Sequence, residues 1–190
     1  MVMDTRAWYT AFVALIAVQR LFEMRLARRN TRALLARHGV EAGRAHFPLM
    51  VALHVAFLVA CPAEVWLLAR PFVGWIGWPA LALCLAAQGL RSWAIRALGN
   101  RWTVRVIAVP GTLSVTRGPY AFIRHPNYVA VIVEIATIPL VHTAWITAAV
   151  FSALNALLLA RRIKVEEALL RQVGGYGDGL DHVPRFVPRG

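Results

Sequence analysis

GPYAFIRHPNY (residues 118–128) and RRIKVEE (residues 161–167) bracket two apolar runs, 129–141 and 143–160, that are parted by a single histidine, His142. Two helices over those runs form a hairpin that returns both polar clusters to one face of a bilayer. An arginine, a histidine, tyrosines and carboxylates then gather at the mouth of an apolar bundle. The fold depends on whether the rest of the chain supplies that bundle.

Five apolar segments stand out, at about residues 7–22, 48–69, 72–90, 128–141 and 143–160. The second and third match a hydrocarbon core of ~30 Å at ~1.5 Å rise per residue. The first spans once its flanks are included, and the fourth is short. This pattern predicts an all-α integral membrane protein with about five transmembrane helices, a small cytoplasmic cap and a carboxyl-terminal segment, in one domain over residues 1–190.

Composition agrees. A chain that is 59% hydrophobic yet carries a net charge of +12 is explained by apolar spans alternating with basic loops. The arginines lie in short blocks beside apolar runs, which points to anionic lipid headgroups as partners and away from nucleic acid. Lys164 is the only lysine, and alanine, leucine and glycine abound. That usage points to a GC-rich bacterial gene and to a bacterial inner or plasma membrane. The first segment, with no small-residue cleavage site after it, reads as a retained anchor. Cys61 and Cys84 both fall in apolar runs, with no spacing for a disulfide framework or a metal site.

Arginine placement sets the orientation. Arg25, Arg28, Arg29, Arg32 and Arg37 follow the first segment, Arg91, Arg96, Arg101 and Arg105 the third, and Arg161, Arg162 and Arg171 the fifth. The amino terminus is therefore expected outside and the motif face in the cytoplasm. On that face, residues 23–37 continue the first helix or lie on the interface. Residues 102–109 are β-prone and end at the turn signal Pro110-Gly111, so a small hairpin with residues 112–116 is expected.

In the opening motif, Pro126 suits the first turn of a helix and biases His125 toward an extended conformation. The free N–H groups of such a terminus suit a polar or anionic ligand. Spacing alone leaves the motif balanced between an interfacial cap and a site. Arg162 and Glu166 lie one helical turn apart in the less favourable order for a simple salt bridge, whereas Glu167 and Arg171 have the favourable one. Arg162 and Glu166 are thus expected to face something else.

Ionisable residues inside spans are functional candidates because hydrocarbon penalises them. They are His54, Glu64 and Glu134, with Glu64 near the outer interface. Gln88 and Asn155 are placed for interhelical hydrogen bonds. GGYGDG (residues 174–179) follows a helix and precedes none, so it fails the context of a dinucleotide fingerprint and reads as a loop in which Tyr176 is a possible contact.

GPYAFIRHPNY, the apolar hairpin and RIKVEEALL together resemble the isoprenylcysteine carboxyl methyltransferase family of integral membrane enzymes. The resemblance runs from about residue 98 to the carboxyl terminus. Residues 46–66 look more like a bacterial branch found with type III polyketide synthases, whose members methylate hydroxyls of long-chain alkylpyrones or alkylresorcinols. The resemblance implies S-adenosylmethionine bound without a Rossmann domain. By motif position, His125, Pro126, Tyr128, Asn155, Glu166 and Tyr176 would contact the cofactor, and Arg162, Glu166 and His125 would act at the reacting centre. Glu134, His54 and Trp102 are candidates on the side of a lipophilic acceptor, either an isoprenylcysteine-like carboxylate or a hydroxyl. A departure is the lack of the family's second tyrosine after Tyr176, where this chain has Gly179 and Leu180, although PRFVP (residues 184–188) resembles the usual ending.

Two other classes compete. A small proton or ion transporter would use His54, Glu64 and Glu134 but leaves the motif pair unexplained. An NADPH-dependent, sterol-reductase-like enzyme needs a longer chain than this.

Overall fold

The computed structural model describes residues 4–173 and 183–187. Five helices make up most of it: α1 (Thr5–Ala36), α2 (Phe47–Leu67), α3 (Gly74–Leu98), α4 (Pro126–Leu140) and α5 (Trp145–Gln172). Asp4 caps α1 by accepting the Arg6 N–H at 3.0 Å. No glycine or proline interrupts the chain until Gly39, so α1 runs through the basic stretch for 32 residues. α5 likewise continues past its apolar part and carries RRIKVEE as helix. α4, at 15 residues, is about 22 Å long, short of a ~30 Å core.

Arg44–Leu67, which includes α2, and α5 are long and apolar enough to cross a membrane by length and composition. The outward surface fits that environment. Leu15, Leu21, Phe22, Val59, Leu67, Trp75, Leu83 and Leu157 are all exposed, a distribution that water would penalise over so large an area. Polar groups instead lie inside. The fold is that of an integral membrane protein.

The core joins Tyr9, Val13 and Ile16 of α1 to Phe57, Cys61 and Val65 of α2, with Cys84 of α3 and Ile135 and Ile138 of α4. Both cysteines are buried and free. α3 packs most extensively on α4, and Gly77 permits the approach at one end. A Cβ there would lie 2.5 Å from the Phe72 ring and 2.7 Å from the Val141 carbonyl oxygen. The α4–α5 turn is held from α1: the Tyr9 hydroxyl donates to Ile138 O at 3.1 Å, and buried His142 lies 3.2 Å from the Thr5 hydroxyl.

Glu64 does not reach the interface. It is buried and receives the N–H groups of Ile146 and Thr147 at 3.2 and 2.6 Å, the Thr147 hydroxyl at 2.7 Å and Arg70 Nε at 3.0 Å. The four N–H groups of a helix start lack partners within the helix, and a carboxylate is favoured at that end. Glu64 therefore caps α5 from the end of α2.

The small sheet also differs from the expected hairpin. β1 (Val40–Ala42) pairs antiparallel with β2 (Val106–Ala108), Glu41 standing opposite Ile107. The Pro110-Gly111 turn exists, with Thr112 N bonded to Val109 O at 3.2 Å. The chain beyond it leaves to pack Val115 against Ala94, Ala97 and Tyr120. Local alternation in sequence could not show that a short, charged VEA would supply the partner strand. Near that junction, Asn30 of α1 donates to Gly99 O and Trp102 O at 3.2 and 2.8 Å, tying α1 to the end of α3.

Candidate functional site

Proline at its first position starts α4 at Pro126, with His125 as the non-helical N-cap at φ −124°, ψ 55° and no side-chain capping bond. The histidine ring is thus free for other work. The hairpin brings α4's start against the second half of α5, so the two sequence motifs meet on one face, as their spacing predicts.

Tyr128 is the meeting point. Its hydroxyl accepts from Arg162 Nε at 2.8 Å and donates to Glu166 Oε2. Arg162 also donates to Val104 O at 2.7 Å and to Met50 Sδ at 3.2 Å. Arg162 and Glu166 therefore grip one phenol from successive turns of α5 and do not form a plain surface pair.

His125, 4% exposed, stacks on the Tyr128 ring with centroids 5.2 Å apart. Its Nε2 lies 3.1 Å from Glu167 Oε1. A carboxylate can only accept, so Nε2 carries a proton and donates to it. Nδ1 is 3.9 Å from Glu166 Oε1.

Glu167 departs from expectation. In place of an exposed pair with Arg171 it is 2% exposed and takes both donors of Arg185, Nε at 2.9 Å and Nη2 at 2.6 Å, besides His125. The backbone of Arg124 and His125 donates to Pro184 O and Arg185 O at 2.9 and 3.2 Å. Val183 packs on Leu170, and Phe186 lies 6.2 Å from the His125 ring. Residues 183–187 thus form a strap over the motif pair. Glu167 and Arg185 were missed in sequence because helical spacing offered Arg171 as the nearer partner. Tyr176, Gly179 and Leu180 lie outside the described residues.

Two cavities flank this cluster. The smaller, about 190 Å³, includes His125, Tyr120, Arg124, Glu166, Leu169 and Val173 among its lining. The Tyr120 hydroxyl beside it is buried, and burial together with the nearby Glu166 charge pushes its ionisation well above the usual phenol range. The larger, about 760 Å³, runs between α1, α2, α4 and α5 and is mainly apolar, with His54, Glu134 and Asn155 in its walls. Trp102, Asn127, Tyr128 and Arg162 line both. One layer of side chains separates them. Asn127 Oδ1, within that layer, is buried without a hydrogen-bond partner among the described residues. Pro126 is buried at the start of α4.

Of the residues singled out in sequence, His125, Tyr128, Arg162, Glu166 and Trp102 come together. Asn155, His54 and Glu134 lie on the larger cavity. Glu134 has partners that sequence did not reveal: Arg20 Nη2 at 2.8 Å, with Arg91 Nη1 at 3.9 Å. Glu23 receives Arg20 at 2.7 Å and Arg91 at 2.8 Å. Arg91 is therefore no headgroup contact after the third segment. α3 extends to Leu98, and Arg91 is 8% exposed inside the bundle.

The sequence profile of the Isoprenylcysteine carboxyl methyltransferase (ICMT) family matches residues 80–172. That range holds the whole of α4 and α5. An uncharacterized protein of Bacillus subtilis (strain 168), YpbQ, is 38% identical over 161 residues, covering 84% of this chain and 95% of that one. An uncharacterized protein of Haemophilus influenzae is 29% identical over 162 residues, covering 84% of this chain and 92% of its own. Among solved structures, the eukaryotic intramembrane Ras methyltransferase ICMT superposes with a TM-score of 0.53 at 22% identity. The superposition covers 73% of this chain, and the chain spans about half (54%) of that protein.

Proposed function

The chain belongs to the isoprenylcysteine carboxyl methyltransferase family, and on that premise we propose that it is an S-adenosylmethionine-dependent O-methyltransferase for a lipophilic acceptor drawn from the bilayer. The observation that carries this reading is the pair of cavities, the smaller one at the His125 and Glu166 cluster and the larger one mainly apolar, that share Trp102, Asn127, Tyr128 and Arg162. A water-soluble and a lipid-soluble reactant approach that layer from opposite sides.

The smaller cavity sets Arg37, Arg101, Arg105, Arg124 and Arg162 beside Glu166, which suits a molecule that brings a carboxylate as well as an ammonium. Asn127 Oδ1 is a buried acceptor without a partner among the described residues, and the Glu166 carboxylate lies 3.9 Å from His125 Nδ1. S-adenosylmethionine supplies a methyl group on a positively charged sulfur, which passes to an oxygen and leaves a neutral thioether. Glu166 would hold the ammonium or offset the charge, and the strap at residues 183–187 lies over it and His125.

The chain's remaining work is alignment, which supplies much of the rate in reactions of this kind. Arg162, fixed by Tyr128, Val104 and Met50, orients the acceptor oxygen at the shared layer. A carboxylate acceptor arrives ionised and gives up no proton. A hydroxyl acceptor gives up one, and Glu166 or His125 stands where it can be received. Arginines exposed at the ends of α1 and α5, Arg25, Arg28, Arg29, Arg32, Arg161 and Arg171, support a cytoplasmic motif face and an outward amino terminus.

Binding of labelled S-adenosylmethionine to the purified, folded chain tests the reading, and its absence sinks it. Methyl transfer to a panel of prenylcysteine acids, long-chain pyrones and long-chain resorcinols then sorts the acceptor classes.

A further inference from the structure

The larger cavity has an open side. Leu21, Val55 and Val59 line it, yet they are 63%, 57% and 63% exposed. α1 and α2 frame that side. They are joined at one end, where Trp66 Nε1 donates to the Thr10 hydroxyl at 3.0 Å and Arg6 lies over the Trp66 ring at 5.9 Å. Toward their other end Arg28 and His46 line the same cavity, so the two helices run antiparallel. Both advance ~1.5 Å per residue from the Thr10–Trp66 contact. Equal steps along each bring Leu21 opposite Val55 and Arg28 opposite Pro48. The result is a slot with apolar edges that ends at Arg25 and Arg28 on α1, with His46 across from them.

Charge on the cavity wall does not balance. Arg20, Arg25, Arg28, Arg91 and Arg162 line it against Glu23 and Glu134. Both carboxylates are taken by Arg20 and Arg91, and Arg162 is spent on Tyr128, Val104 and Met50. Arg25 and Arg28 remain. Both are exposed, and neither has an ion pair among the described residues, Arg25 resting only on the Phe22 ring at 5.6 Å. Three residues apart on one helix, they share a face. His46 adds a ring N–H in either tautomer.

We propose that the slot between α1 and α2 admits one hydrocarbon chain of an anionic membrane amphiphile, and that Arg25, Arg28 and His46 hold its phosphate at the slot's end. The chain covers Leu21, Val55 and Val59, and the phosphate answers two cations that the protein leaves without a counterion. A guanidinium fork matches phosphate oxygens in geometry as well as in charge. The α1 wall runs from Arg28 back to buried Ile16, about 18 Å along the helix, which suits a long chain. This inference goes beyond the methyltransferase reading and does not need it.

The test uses the full chain in phosphatidylcholine nanodiscs at low salt, without S-adenosylmethionine and with binding to empty discs subtracted. Tritiated hexadecyl phosphate is compared with tritiated hexadecylphosphocholine, which has the same chain and phosphate but no net charge. Hexadecyl phosphate is expected to bind at least about tenfold more tightly, the scale two arginines near a membrane surface supply. Arg25→Gln combined with Arg28→Gln is expected to remove that preference. Arg29→Gln combined with Arg32→Gln takes the same charge from α1 at positions that do not line the cavity, and is expected to keep it. Equal binding of the two probes overturns the proposal, as does a preference that the first double variant retains. An equal loss in both double variants overturns it too, because general surface attraction then suffices. Val55→Trp narrows the slot and is expected to weaken both probes, and unchanged binding places the chain elsewhere and overturns the proposal. Should that variant not fold, ethyl phosphate decides the point, since it brings the anion without the chain. It is expected not to displace hexadecyl phosphate, and displacement at matched concentration overturns the proposal. Binding of S-adenosylmethionine, measured separately, stands or falls independently of each of these outcomes.

Discussion

The Tyr128 hydroxyl stands between the Arg162 guanidinium and the Glu166 carboxylate, accepting from the first at 2.8 Å and donating to the second. A single phenol thus sets the spacing of two groups on successive turns of α5. Tyr128→Phe removes both bonds and keeps the ring that stacks on His125. We expect methyl transfer to fall about ten- to hundredfold, with helical content by circular dichroism unchanged. Full activity in this variant would show that Arg162 and Glu166 hold their places unaided.

Glu166 gives a test of acceptor chemistry. With an alcohol or phenol acceptor, Glu166→Gln is expected to lower kcat by about 10²–10⁴-fold, the usual worth of a positioned base. That loss shrinks as rising pH ionises the acceptor itself. With a carboxylate acceptor the loss shows no such relief, and Arg162→Ala becomes the more damaging change. Paired pH–rate profiles of the two variants distinguish the cases.

Arg185 fastens the carboxyl-terminal strap through its two bonds to buried Glu167. Arg185→Ala is expected to speed proteolysis near residues 183–187 and to weaken S-adenosylmethionine binding, with α5 intact. Limited proteolysis and equilibrium binding on the same preparation check both effects. Unchanged cleavage would mean that the backbone bonds to Arg124 and His125 suffice.

Glu64 is expected to matter for stability and not for chemistry. Glu64→Ala strips the start of α5 of its cap and leaves Arg70 without its carboxylate, at a cost of about 1–3 kcal/mol. Denaturation in detergent should register the loss, while S-adenosylmethionine affinity stays within error. A proton-transport role for Glu64 would instead appear as lost flux in liposomes at unchanged stability.

Gly77→Ala places a methyl group 2.7 Å from the Val141 backbone oxygen and closer still to the Phe72 ring. The ring can swing, but the carbonyl belongs to the α4–α5 turn. The expected cost is about 1–3 kcal/mol of overpacking, read as a lowered midpoint of unfolding. Gly89→Ala, where a Cβ meets nothing within 4 Å, serves as the control.

The motif pair was legible in the sequence because an apolar hairpin returns its two ends to one face, whereas the contact of Tyr128 with Arg162 came only from the structure. Glu134 was legible as an anomaly, since an acid in an apolar run is costly. Its partners were not, because Arg20 and Arg91 lie 114 and 43 residues away in the chain and each sits near the margin of an apolar segment, where it reads as an interfacial charge. The β1–β2 pairing was hidden for a related reason: three residues carry too little pattern to announce a distant strand. Glu64 misled by position, since the end of a span is where a carboxylate usually reaches water.

The layer shared by the two cavities has a kinetic consequence. On the proposed reading, a reactant dissolved in water and one dissolved in lipid become neighbours there, although no single solvent holds both. For an enzyme so built, the amount of acceptor per litre is the wrong variable, and its mole fraction in the bilayer sets occupancy. Adding inert lipid at constant total acceptor then slows turnover as competitive dilution in two dimensions would, while the same addition leaves saturation by the aqueous partner untouched.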